Sequence, residues 1–153
     1  MIKYVNAMYP FWSFLTAVLL AQLIKPFFYF LRKGEWNFTL FYASGRFPSS
    51  HSSGVSALAL AVGLQDGFSS SIFAVTLAFA CVVIYDAGNV RYYAGKNIEI
   101  TQQLIKDIQL LTKTRLEDPV YLTHLKDVLG HKWIEIIGGI GLGLLVALIL
   151  NIL

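Results

Sequence analysis

Gly45-Arg46-Phe47-Pro48-Ser49-Ser50-His51-Ser52-Ser53-Gly54 runs without a break into Val55-Ser56-Ala57-Leu58-Ala59-Leu60-Ala61-Val62-Gly63-Leu64. The first half is dense in hydroxyls, and the second is apolar and helix-forming. Pro48 cannot continue a helix from behind, whereas Ser49 or Ser50 can cap one. The stretch therefore predicts a helix that starts near Ser50. Its N-terminal N–H groups carry the positive end of the helix dipole, which is the geometry for holding an anion such as phosphate. His51 falls in the first turn, so a group that titrates near neutral pH sits beside that end.

Working outward, the surrounding chain is apolar. The 153 residues are 56% hydrophobic and 14% charged, with a mean hydropathy of +0.62. That composition excludes a soluble globule and predicts an integral membrane protein in one domain, 1–153. Helices that cross the hydrocarbon need about 20 apolar residues. Tyr9 to Tyr29, Ser71 to Asp86 with an extension to Val90, and Ile134 to Leu153 meet that need. Ser50 to Leu64 is shorter and polar at its start, a tilted or partial span. The fold expected is all-α, a helical bundle with about four membrane helices plus a cytoplasmic amphipathic helical segment.

Long apolar character after Lys3, with no small-x-small site before Lys25, argues against a cleaved signal peptide. The single Cys81 excludes an intrachain disulfide and reads as a small buried apolar residue. Gly139 and Gly143 stand at G-x-x-x-G spacing, which suits either close packing within the chain or a homo-oligomer through the last helix. Four crossings place all the Lys and Arg residues except Lys3 on the side of the two long loops, Arg32–Phe47 and Arg91–Trp133, with Lys25 counted at the membrane end nearest it. By the positive-inside rule that side is the cytoplasm, in an inner or plasma membrane.

Several polar residues stand out against this background. Lys25 lies deep in the first span, where a charge either snorkels or faces a partner. Asp86 and Arg91 flank Gly88 and Asn89, where the third span is expected to stop or kink. From Asn97 to Leu116, Leu104, Ile105, Ile108 and Leu111 recur at helical spacing among Lys106, Asp107 and Lys113, an amphipathic pattern. Asp118-Pro119 and Gly130 bracket a second short helix that carries His124, read as solvent-exposed. His131 and Glu135 are four apart at the entrance to the last span, so the carboxylate can orient the imidazole. Lys25, Ser49 to His51, Asp86 with Arg91, and His131 with Glu135 come from four segments, yet the topology puts them at one membrane face. A shared site for a phosphorylated group is the economical reading.

The motifs Pro48-Ser49-Ser50-His51-Ser52, Tyr85-Asp86-Ala87 with Val90-Arg91, Ala94-Gly95, and Gly130-His131 with Glu135 resemble the divergent PAP2 family, from about Ala21 to Leu144. Arg46-Phe47, Asn89, Tyr92 and Lys132-Trp133 depart from its pattern. The resemblance implies that Lys25 and Arg91 bind phosphate and that Ser49 and Ser50 supply donors. It further implies that His51 is the acid and His131 the nucleophile, oriented by Glu135, with Asp86 in support.

The expected function is a membrane phosphatase acting on a lipid phosphate monoester or pyrophosphate through a phosphohistidine. The alternative is non-enzymatic binding or translocation of a phosphorylated lipid. A third reading is a divalent-metal site built from Asp86, Glu135 and the two histidines His51 and His131. The phosphatase needs no cofactor and no metal. Its partners would be a phosphorylated lipid and membrane lipids, and no nucleic acid.

Overall fold

Serine, glycine and alanine dominate the helix that starts at Ser50, and their small side chains let neighbouring backbones come close on every side. In the computed structural model, which describes residues 7–42, 45–113 and 132–152, that helix is the innermost element. We number the helices α1 (Tyr9–Lys33), α2 (Ser50–Asp66), α3 (Ser71–Tyr85), α4 (Arg91–Thr112) and α5 (Trp133–Ile152). A short 3-10 turn, Phe38–Phe41, follows α1, and a π-helical segment, Asp86–Val90, joins α3 to α4. All regular structure among the described residues is helical.

α1, α3 and α5 each pack on α2, and α1 also packs on α5. Eleven of the 17 residues of α2 are buried, including Ser50, Ser52, Ser53 and Ser56, which explains why a helix with this much hydroxyl content holds the centre. Ala17, Ala57, Ala61, Val146 and Ala147 form the core between α1, α2 and α5. One of these hydroxyls is matched across the interface with α1: Ser53 donates to the Ala17 carbonyl at 3.2 Å. At the far end Tyr9 donates to the Ala147 carbonyl at 2.7 Å.

Outward faces are apolar instead. On α3, Ile72, Val75, Phe79 and Val82 are all more than half exposed, and on α5 Ile134, Ile137 and Leu145 behave alike. This inversion is that of a bundle whose solvent is hydrocarbon. By length and composition α1, the continuous Ser71–Thr112 helix and α5 are each able to cross a membrane. α2 rises only about 25 Å at 1.5 Å per residue, and it is wrapped by the other helices. Three helices thus meet the length of a span, and α2, at 17 residues, is the shorter inner helix that the sequence set apart as a tilted or partial span.

Two expectations change. The third span does not stop at Gly88 and Asn89: the chain widens into one π turn and continues as a helix of 42 residues. A π turn absorbs an extra residue without breaking the hydrogen-bonded ladder, and the Arg91 N–H accordingly donates to the Asp86 carbonyl. Cys81 is exposed rather than buried, because α3 turns only Ala80 into the bundle. Gly139 and Gly143 are buried within the chain against α2, the first of the two uses their spacing suits. α4 covers most of the expected amphipathic stretch and buries none of its residues. The expected short helix with His124 lies outside the described residues.

Candidate functional site

The start of α2 is fixed by three short connections. Ser49 is the N-cap, its Oγ accepting the Ser52 N–H at 3.3 Å and the Ser52 hydroxyl at 3.0 Å. The Ser49 N–H donates to the Glu135 carbonyl at 2.9 Å, tying this end of α2 to the first turn of α5. The Ser50 hydroxyl donates to Gln22 Oε1 of α1 at 2.6 Å. Gln22 Nε2 in turn donates to the Phe41 carbonyl at 3.0 Å, fastening the loop after α1 to the same point. Phe47 lies edge-on to Phe28, with ring centroids 4.8 Å apart, and the Arg46 guanidinium sits 4.9 Å over the Tyr29 ring. The loop ahead of α2 is thereby pinned to the end of α1.

A cavity of about 470 Å³ opens beside this helix start. Lys25, Gln22, Ser50, His51, Gly45 and Tyr42 surround its polar end, while Phe14, Val18, Val55, Phe79 and Val83 line the remainder. Lys25 is only 3% exposed, a near-complete burial for an ammonium on an apolar helix. Glu135 lies close enough to interact with it electrostatically. A cation placed so deeply is costly unless something anionic shares its environment.

Glu135 also caps its own helix, its carboxylate accepting the Lys132 N–H at 3.2 Å, the backward reach of a capping box. Lys25, Ser50 and His51 therefore line one cavity, with Glu135 near Lys25. Ser49 does not line it: it is fully buried and holds the backbone in place. Asp86 and Arg91 are at the same end of the bundle but pair with each other, Nε to Oδ2 at 2.6 Å. Neither is among the residues around the cavity. His131 lies outside the described residues. No group of three His, Cys, Asp or Glu comes together as a metal site among the described residues.

Gln22 was missed in the sequence, although an amide three residues before Lys25 on an apolar helix is a readable signal, since i and i+3 share a face. Replacing it with Leu removes both of its bonds and leaves the Ser50 hydroxyl without its acceptor. A loss of about 1–2 kcal/mol is expected, seen as a lower midpoint of thermal unfolding in detergent; an unchanged midpoint would show that this junction does not hold the loop.

An all-helical bundle with apolar outer faces and a hydroxyl-rich helix sealed inside it, opening on a buried lysine, is a membrane protein with an internal polar site. The chain belongs to the Divergent PAP2 family, whose sequence pattern matches residues 7–146. It is similar to "Uncharacterized membrane protein YuiD" of Bacillus subtilis (strain 168), 34% identical over 147 residues, with 93% of each chain covered. No solved structure matches.

Proposed function

We propose that this protein is a membrane phosphatase that removes phosphate from a lipid phosphate monoester or pyrophosphate presented at the cytoplasmic leaflet. The observation that carries the reading is the burial of Lys25 at a cavity it shares with Ser50 and His51. A phosphate there would join Glu135 in the surroundings of the ammonium and meet the positive end of the α2 dipole. His131 attacks phosphorus and the bond to the lipid oxygen breaks, while His51 gives its proton to that leaving oxygen. Water then attacks the phosphohistidine and releases inorganic phosphate. Glu135 orients His131 and balances Lys25. Lys25, with Arg91 once it leaves Asp86, stabilises the equatorial oxygens. The cytoplasmic assignment follows from the basic residues gathered at this end and along α4.

Arg91 held by Asp86 favours a second reading, in which the protein binds or translocates a phosphorylated lipid without chemistry. The two part in one experiment: phosphate release from a panel of lipid phosphates by the purified protein, with and without chelator, beside His131→Ala. Chelator-resistant release that vanishes in the variant is expected. No release from either protein, with lipid phosphate still bound, would leave the binding reading in its place.

A further inference from the structure

The cavity is long, open on one side and graded in polarity. On α1 its wall is Lys25, Gln22, Val18 and Phe14, one helical face spaced by three, four and four residues. From Lys25 to Phe14 that face runs about 17 Å along the helix axis. His51 and Val55 follow the same direction on α2, and Val83 and Phe79 on α3. Every lining residue away from the Lys25 end is apolar. α1 and α3 each pack on α2 but share no extensive interface with one another. The cleft between them is therefore closed at the back by α2 and open toward the bilayer, with Phe79, itself more than half exposed, at its edge.

Resting on the proposed function, we infer that this cleft takes a phosphorylated lipid with a single hydrocarbon chain, which enters sideways between α1 and α3. The headgroup lies at Lys25, Ser50 and His51, and the chain lies along Val18, Val55, Val83 and Phe14. The buried cation at one end and the hydrocarbon-lined remainder fix the polarity and direction of the occupant. Size sets the number of chains, since about 470 Å³ lies toward the small end of pockets that enclose a drug-sized ligand. That room suits one headgroup and the near part of one chain; a second chain on the same headgroup would have to cross the open side past Phe79 to reach the bilayer, so a single-chain lipid is preferred.

The test is photo-crosslinking in nanodiscs. It compares an alkyl phosphate bearing a diazirine midway along its chain with a phosphatidic acid that carries the same group on one of its two chains, each competed by its unlabelled form. For the wild-type protein the alkyl phosphate is expected to label Phe14, Val18, Phe79 and Val83 in a saturable way, and the two-chain lipid about tenfold less. Val18→Trp and Val83→Trp narrow the cleft from opposite walls. Each should lower saturable labelling by the alkyl phosphate about tenfold, the equivalent of displacing roughly two buried methylenes.

Equal saturable labelling by the two lipids would overturn the single-chain assignment. So would label spread evenly over lipid-facing positions such as Leu19 and Leu145. The wild-type map needs no variant, so a misfolded tryptophan substitution does not decide the outcome. Phosphate release scored alongside separates the two readings. Saturable labelling in the cleft without release upholds the chain site and removes the phosphatase, whereas release from one-chain and two-chain lipids alike, with even labelling, does the reverse.

Discussion

Lys25→Met is expected to lower phosphate release from a lipid phosphate by about 10²–10³, the loss typical when one preorganised donor to a developing negative charge is removed. The folded protein should survive the change. Lys25 is 3% exposed, and methionine keeps most of its volume while removing the cost of holding a charge away from water. Glu135, which loses its electrostatic partner, is only half-buried and keeps the Lys132 N–H as a donor. The measurements are initial rates of phosphate release and the thermal midpoint of the same preparation. A rate within a few-fold of the parent would remove Lys25 from the phosphate site. A collapse of the midpoint would instead make it a structural charge.

The second large effect concerns packing. A Cβ on Gly143 would run into the Ser53 carbonyl oxygen, and one on Gly139 into the Ser49 carbonyl oxygen, both backbone atoms of α2 that cannot turn aside. Gly141, two residues away on the same helix, faces open space. Gly143→Leu should therefore force α5 away from α2 at a cost of about 3 kcal/mol, the upper end of what overpacking usually does. In a chain of this length that is a fall of roughly 10 °C in the unfolding midpoint. Gly141→Leu should stay within about 0.5 kcal/mol of the parent. If both variants unfold alike, the close approach of α5 to α2 is not what holds the bundle together.

These glycines show what the sequence displays and what it conceals. G-x-x-x-G spacing marked a close contact in advance but could not say whether the facing surface belonged to the same chain. The facing surface is Ser49, Ser53 and Ala57, a small residue every fourth position, and it lies in the very stretch singled out for its chemistry. The serines therefore have two duties. Ser50 opens on the cavity, whereas Ser49 and Ser53 serve the packing, and composition alone cannot divide them.

The three long apolar helices were legible because hydrocarbon thickness sets their length. The inner position of α2 was not, since a short span and a buried one share the same low count of large apolar residues. Lys25, Ser50 and His51 were found because each is an expensive or reactive group in an apolar setting. Asp86 and Arg91 were found for the same reason, but their mutual pairing depends on local backbone geometry that residue types do not disclose.

That geometry has a consequence for the rotational phase of the molecule. On a regular α-helix each residue advances the chain by about 100°, so residues five apart, such as Asp86 and Arg91, would point in well-separated directions. The wider turn at Asp86–Val90 brings the two onto one side. It also offsets the whole of α4 by the equivalent of one residue relative to α3. Winding the same five residues as an ordinary α-helix would swing every side chain from Arg91 to Thr112 about a quarter-turn around the axis, whereas losing one residue together with the wider turn would leave those directions nearly unchanged. The azimuth of α4 is thus set by one surplus residue in a five-residue turn, whose Ala87 and Gly88 are buried against the bundle while α4 itself buries none of its residues.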